Sequence, residues 1–240
     1  MKRCFPMVVA LAFLIVAAPA MAVDSLFIAS GAGYKVVVEA LARAFTEESG
    51  VAVERIHGNM AQIMGQARNS GKVDLLIGEE SFLAGSPLPL AASTPLGMGR
   101  LVLAWPKAKP EPRGLDVPEV ERVAIPDPKK AIYGKAAMEY LERSGQLAAL
   151  KDKLLVVGTV PQVFAYLSTA EVDAGFLNLT QALAAADHLG GYRVLENELY
   201  TPIAIECFQL KTAPNPKAAK DFARFLESGT ARSILVAHGL

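Results

Sequence analysis

The feature that most constrains the fold is an alternation of short apolar, β-branched runs with stretches of helical periodicity. Apolar residues recur at helical spacing between the runs, for example over 36–45 and over 163–167. A succession of strand, helix and strand is typical of α/β proteins with mostly parallel sheets. The predicted strands are Leu26–Ala29, Val51–Ile56, Val73–Ile77, Leu101–Trp105, Arg122–Ile125, Leu154–Val157, Val172–Leu177 and Pro202–Gln209.

Two long apolar strands, 100–105 and 203–210, divide the sequence. Segments rich in proline and glycine, 84–99 and 106–118, flank the first of these strands. Such a pair of strands is typical of two crossings between lobes. We therefore expect a first lobe made of 23–104 plus 208–240 and a second lobe made of 105–207.

The first 22 residues have the features of a cleavable export signal. Lys2 and Arg3 precede an almost wholly apolar run, and Ala20-Met-Ala22 is a small-x-small cleavage site. Because the run is short for a bilayer span, we expect cleavage after Ala22 rather than a stable membrane anchor. Export of this kind predicts a periplasmic protein.

The charge and the cysteine count of the mature chain argue against two classes of protein, those that bind nucleic acids and those held together by intrachain disulfides. Losing Lys2 and Arg3 with the leader reduces the 24 basic side chains to 22, against 24 acidic ones. Without a basic excess or stripe, we expect no nucleic-acid partner. Cys207 is the only cysteine beyond the leader, so no intrachain disulfide is expected.

Four predicted helix starts follow strands or their short loops, at Ser30, Met60-Ala61, Tyr133-Gly134 and Thr159-Val160. The first turn of a helix has unpaired N–H groups and the positive end of the macrodipole, so it binds anions without any cation. Every α/β domain has such helix starts, which is the purely structural interpretation. If the four converge, they predict a binding site for a small oxyanion.

Other chemistries receive little support from the motifs. Ser30-Gly31-Ala-Gly33 lacks the third glycine of a dinucleotide-binding turn, since Val36 stands in its place. No nucleophile elbow, S-x-x-K or H-E-x-x-H motif occurs, so we expect no enzyme and no cofactor. Histidines 57, 188 and 238 are scattered, and the six tyrosines stand apart, which argues against protein-bound zinc or ferric ion. We interpret His57 as a residue of the pocket rim and Glu80 as an exposed residue of a helix start.

Several segments, in this order and spacing, resemble the periplasmic molybdate-binding proteins of ABC importers, within the type II solute-binding proteins. The resemblance covers nearly all of the mature chain and is strongest in its second half. The segments that carry it are 124–128 (AIPDP), 133–141 (YGKAAMEYL), 147–154 (LAALKDKL), 159–163 (TVPQV), 171–175 (EVDAG), 222–226 (FARFL) and 237–240 (AHGL).

The resemblance implies a tetrahedral-dianion site between the lobes, built from hydroxyl and backbone N–H groups. Ser30 falls at the family's first hydroxyl ligand, and Met60 or Asn59 falls at a second serine. Tyr133 and Val160 fall at residues that donate backbone amides, and Asn178 falls at a tyrosine that donates its phenol. With Gly31, which neighbours Ser30, these are the predicted ligand-binding residues.

Three of these positions depart from the family's pattern. Met60 deletes a hydroxyl donor and adds bulk, although its backbone N–H survives. Asn178 shortens the reach of a side-chain donor. Tyr133 either restores a phenol from the other wall or narrows the cavity. Losing one buried donor costs about 1–3 kcal/mol, so ligand preference depends on these positions.

The resemblance also implies the fold and the partners. The fold is the two-lobed type II periplasmic-binding-protein fold, in which each lobe is a twisted, mostly parallel sheet flanked by helices. A monomer would capture molybdate or tungstate and deliver it to an ABC permease with its ATPase. The alternatives are another small anion (sulfate, a phosphate-like species or an organic acid) and an exported sensor or interaction protein with a degenerate site.

Overall fold

The computed structural model describes residues 25–240. The predicted export signal and its cleavage site after Ala22 lie outside the described residues. Within the described residues, the structure contains no helix with the length and apolar character needed to cross a membrane.

The first of two five-stranded sheets has the strand order β2-β1-β3-β10-β4. Strand β1 pairs in parallel with β2 and with β3, and β10 pairs antiparallel with β3 and β4. The strands are β1 (Ser25–Gly31), β2 (Ala52–Gly58), β3 (Leu75–Glu79), β4 (Leu90–Gly99) and β10 (Ile203–Leu210).

The second sheet has the order β7-β6-β8-β5-β9 and repeats this plan. Strand β6 pairs in parallel with β7 and β8, and β5 pairs antiparallel with β8 and β9. Its strands are β5 (Leu101–Pro106), β6 (Val123–Pro126), β7 (Leu154–Val157), β8 (Ala174–Asn178) and β9 (Leu189–Val194). The predicted α/β class is confirmed, with both sheets mixed.

Nine α-helices flank the two sheets in the described part of the chain. Helix α1 buries an apolar face that ends at Phe45, whose ring contacts Phe222 and Phe225 of α8. The helices are α1 (Lys35–Ser49), α2 (Met60–Ser70), α3 (Glu80–Ala84), α4 (Ile132–Arg143), α5 (Leu147–Leu150), α6 (Val160–Ser168), α7 (Leu179–Ala184), α8 (Pro216–Leu226) and α9 (Gly229–Ala237).

Two strands, β4 and β9, lie in segments where no strand was predicted. Strand β4 contains Pro95, which is tolerated because β4 is an edge strand and its register shifts beside that residue. Strand β9 contains Gly190 and Gly191, where the Trp105 ring packs so closely that a Cβ atom would collide with it. Turn-forming residues therefore obscured both strands in the sequence.

The chain passes between the two sheets at Arg100 and again over 195–202. Among the strands of residues 25–240, β5 pairs only within the second sheet and β10 only within the first, so neither strand itself crosses. The predicted lobes, 23–104 plus 208–240 and 105–207, stay a prediction. Strand pairing favours boundaries at the two passages, and below we call the halves on either side the first and second lobes.

Candidate functional site

A small cavity lies between the two lobes, with a volume of about 20 Å³. A single water needs roughly 10–15 Å³, whereas sites for drug-sized ligands span about 300–1,000 Å³. The space between the lobes therefore holds little more than one water-sized group and is far smaller than a site for a drug-sized ligand. It is lined by Gly31, Ala32, Gly33, Tyr34, Gly58, Asn59, Met60, Ala131, Ile132, Tyr133, Thr159 and Val160.

Strand register brings these segments together. In the first sheet Gly31 lies opposite Gly58, so the carboxyl ends of β1 and β2 meet at the cavity. In the second sheet Pro126 lies opposite Val157, and the chain continues from both strands into α4 and α6. The carboxyl edge of parallel strands is where open α/β sheets bind ligands.

Five of the seven predicted ligand-binding residues line this cavity: Gly31, Asn59, Met60, Tyr133 and Val160. Ser30 and Asn178 are buried nearby but are not among the lining residues. The remaining lining residues are not among the predicted ligand-binding residues, although Thr159 belongs to a predicted helix start and the others lie close to one.

The start of α2 uses most of its polar groups within the protein. Asn59 and Gln62 form a reciprocal capping box, with bonds of 2.9 and 3.0 Å. The Met60 N–H donates to the Lys130 carbonyl of the second lobe at 2.9 Å. The thioether of Met60 packs against Gly78, where a Cβ atom would collide with it. The added bulk of Met60 therefore enters the first lobe.

The starts of α4 and α6 keep unpaired donors. Helix α4 begins after Ala131 without a side-chain cap, whereas the Thr159 side chain caps α6 by accepting from the Gln162 N–H at 3.3 Å. Within the described residues, the backbone N–H groups of Tyr133 and Val160 have no hydrogen-bond partner. Such groups at two helix starts are donors available to an anion.

Tyr34 and Tyr133 join the two walls. Their hydroxyl oxygens are 2.6 Å apart, although the residues are 99 positions apart in sequence. Separation in sequence is therefore a poor guide to tyrosine pairing here. Burial raises the pKa of both phenols, which disfavours the deprotonated form that a metal would require. The sequence feature that could have indicated this pair is that both tyrosines lie at strand-to-helix turns.

Ser30 faces His57 rather than the cavity lining. Its Oγ atom lies 2.7 Å from His57 Nδ1, and His57 Nε2 lies 3.2 Å from Glu39 Oε1. Glu39 also pairs with Arg55 at 3.0 Å. Burial lowers the pKa of His57, although Glu39 opposes the shift. Burial alone would raise the pKa of Glu39, but the bonds from His57 and Arg55 outweigh it and lower that pKa.

Asn178 supports the cavity from behind. Its Oδ1 atom accepts from the Gln181 N–H at 3.2 Å and so caps α7, while its Nδ2 donates to the Gly33 carbonyl at 2.9 Å. Gly33 is tightly packed there, since a Cβ atom would lie 3.0 Å from Asn178 Nδ2. Asn178 therefore links the second lobe to the loop that lines the first wall.

None of the described residues that line the cavity has a basic or an acidic side chain. Glu79 is buried close by, but its carboxylate accepts from Ser81 and from the Phe82 N–H at the start of α3. Glu80 is exposed in the first turn of the same helix. Among the described residues, no group of three or more His, Cys, Asp or Glu side chains is arranged to hold a metal ion.

Comparison with known proteins identifies the family. The sequence is 26% identical to the molybdate-binding protein ModA of Rhodobacter capsulatus over 202 residues, 81% of this chain and 79% of that protein. It is also 26% identical to ModA of Azotobacter vinelandii over 229 residues, 88% of each chain. The structure of the periplasmic molybdate-binding protein of Azotobacter vinelandii superposes with a TM-score of 0.80 at 24% identity, covering 89% of this chain and 97% of that one.

The sequence model described as bacterial extracellular solute-binding protein matches residues 26–240, which include both sheets and the whole cavity lining. The chain therefore belongs to the bacterial extracellular solute-binding protein family.

Proposed function

We propose that this protein captures a small oxyanion, molybdate or tungstate first, between its lobes and delivers it to an ABC permease with its ATPase. The observation that carries the proposal is the cavity itself. Helix starts from both lobes converge on a space of about 20 Å³, and no charged side chain within residues 25–240 lines it.

Neutral dipoles suit this task. The N–H groups of Tyr133 and Val160 lack partners in the described residues, and each hydrogen bond to a charged ligand contributes about 1.5–3 kcal/mol. Several such bonds, less the cost of ordering the ligand, correspond to affinities between micromolar and nanomolar. The small volume disfavours larger organic acids.

The similarity to proteins named ModA supports molybdate within this class. It also supports a binding protein rather than an enzyme. We propose that the protein acts as a periplasmic monomer after cleavage of the leader at Ala22. We propose Gly31, Asn59, Met60, Tyr133 and Val160 as the walls around the ligand. Ser30 and Asn178 hold the loops of those walls in place.

Isothermal titration calorimetry of the mature protein with molybdate, tungstate, sulfate, phosphate and citrate tests the proposal. We expect one site per chain, with molybdate and tungstate bound most tightly and citrate not bound. Absence of binding heat for both molybdate and tungstate, at several temperatures, would overturn the choice of ligand.

A second candidate is a different small anion, such as sulfate. The observation that favours it is the Met60 N–H, which donates to Lys130 and so leaves one donor fewer for the ligand than the family pattern implies. Tighter binding of sulfate than of molybdate in the same titration would select this candidate. Binding of none of the five anions would instead favour a sensor or interaction protein with a degenerate site.

A further inference from the structure

The contact between Tyr34 and Tyr133 links the two lobes directly. Tyr34 ends the short turn after β1 in the first lobe, and Tyr133 lies in the first turn of α4 in the second lobe. Their hydroxyls are 2.6 Å apart, their side chains are 1% and 2% exposed, and both residues line the cavity. The pair is therefore a buried hydrogen bond that belongs to the cavity and to both lobes.

The hydroxyl pair lies beside the passages between the lobes. A Cβ atom at Gly99, next to the first passage, would collide with the Tyr133 hydroxyl and lie 3.1 Å from that of Tyr34. Tyr200, in the second passage, accepts from the Leu101 N–H at 3.2 Å and donates to Asn197 at 2.6 Å. When the lobes rotate about the two passages, a small gap between the two hydroxyls becomes a larger gap at the outer edge of the cavity. The hydroxyl bond therefore restrains the angle between the lobes.

The bond is chemically constant over the physiological pH range. Burial raises the pKa of both phenols, so both hydroxyls remain protonated and either one can donate to the other. Three further hydrogen bonds to backbone carbonyls act with it between the lobes, from the Met60 N–H to Lys130, from Asn178 Nδ2 to Gly33 and from Asn59 Nδ2 to Gly158. None of these contacts needs a ligand.

We infer that Tyr34 and Tyr133 are positioning residues for anion capture, whose hydroxyl bond fixes the separation of the lobes and so selects the anion by size. The inference rests on the proposed function and deepens it. Lobes held at one separation discriminate between tetrahedral anions of different radius, such as sulfate and the larger molybdate. Lobes freed from this bond adjust to each anion and discriminate less.

The test compares Tyr34→Phe, Tyr133→Phe and the double variant with the wild type, by titration with molybdate and sulfate. One neutral hydrogen bond corresponds to a change of about 2- to 10-fold in the ratio of molecules with closed lobes to molecules with open lobes. We expect each single variant to bind the preferred anion about 2- to 10-fold more weakly and to move the ratio of the two affinities toward one. All three variants remove the same bond. The double variant should therefore bind the anion no more weakly than the single variant with the lower affinity.

Tyr140→Phe is the matched control, because its hydroxyl bonds Glu196, at the start of the second passage, at 3.4 Å and Tyr140 is not among the lining residues of the cavity. It should leave the affinity ratio unchanged. An unchanged ratio in Tyr34→Phe and Tyr133→Phe, or an equal change in Tyr140→Phe, would overturn the inference.

A second measurement separates failure of this inference from failure of the proposed function. Spin labels on Asn69→Cys in α2 and Ser168→Cys in α6 report the distance between lobes without any ligand. Cys207 will not compete for the label, because it is buried and burial raises the pKa of its thiol to about 12. We expect a longer or broader distance distribution in Tyr133→Phe than in wild type, even if neither anion binds. Identical distributions would overturn the role of the pair.

Discussion

The two walls of the cavity have the same architecture but differ in how their donors are used. In the first wall the Met60 N–H donates to Lys130, Asn59 belongs to a capping box, and the neighbouring Ser30 hydroxyl contacts His57. In the second wall the N–H groups of Tyr133 and Val160 have no partner among the described residues. The N–H groups of Tyr133 and Val160 in the second wall are therefore available to an anion, whereas the Met60 N–H of the first wall is not.

This difference shows that a helix start supplies anion donors only where no other segment accepts from them. A backbone N–H in the first helical turn lacks an acceptor within its own helix, whatever the residue, but the Lys130 carbonyl supplies one for Met60. A hydroxyl or amide side chain can instead turn to a neighbour, as Ser30 does to His57 and Asn178 does to Gly33. Substitutions in each wall test this contrast.

The largest expected effect comes from a carboxylate in the first wall. Ala32→Asp places a negative charge at a cavity whose lining has none, and two like charges about 4 Å apart repel by roughly 4 kcal/mol near a protein surface. The helix start favours an acid, so folding should persist. We expect titration to show a loss of anion affinity greater than about 100-fold.

Ala32→Asn is the control of matched shape, and it should weaken binding far less. Equal affinities for the two variants would mean that the first wall does not face the anion.

Removal of a backbone donor from the second wall should have the next largest effect on anion affinity. Val160→Pro removes the N–H at the first position of α6, where proline is well tolerated. The lost bond to a charged ligand, about 1.5–3 kcal/mol, predicts binding about 10- to 150-fold weaker by calorimetry.

Val160→Ala shortens the same side chain and keeps the N–H, so its affinity should stay close to that of the wild type. If both variants weaken binding alike, the packing of Val160 rather than its amide matters.

A smaller effect, on stability rather than binding, is expected for Ser30→Ala. The hydroxyl is fully buried and bonds to His57, so its loss should lower the free energy of unfolding by about 1–3 kcal/mol in urea denaturation. Anion affinity should change little, because Ser30 is outside the cavity lining. A loss of affinity as large as that of Val160→Pro, with stability intact, would show that the Ser30 hydroxyl binds the anion.

The smallest effect concerns pH. Burial lowers the pKa of His57 from the ordinary 6.5, so the unfolded chain takes up a proton first as the pH falls. Stability from this group is complete above about pH 6.5 and is lost as the pH falls through the lower pKa of the folded state. In His57→Gln, the free energy of unfolding measured in urea should vary less with pH across that window.

Glu39 acts in a lower window. Its pKa is lowered from 4.5, so its contribution is present above that pH and lost as the pH falls through the folded-state value. His188→Gln, at an exposed position, is the control and should keep the wild-type pH profile. If His57→Gln keeps the wild-type pH dependence of unfolding, His57 does not contribute to the pH dependence of stability.

The alternation of strands and helices predicted the α/β class, and the positions of the helix starts predicted where the walls of the cavity would lie. Gly31, Tyr133 and Val160 were predictable because a helix that follows a parallel strand begins at the carboxyl edge of the sheet. The directions of Ser30 and Asn178 depend on neighbours far away in sequence, which local patterns do not encode. The Tyr34–Tyr133 bond has the same origin, since its partners are 99 positions apart.

The most direct test of neutral-dipole capture is a crystal structure of the mature protein with molybdate, located by its anomalous scattering. We predict a single strong peak between the lobes, with anion oxygens about 2.7–3.2 Å from the backbone nitrogens of Tyr133 and Val160 and no basic side chain in contact. A peak held by lysine or arginine side chains, or one outside the cavity, would contradict the account.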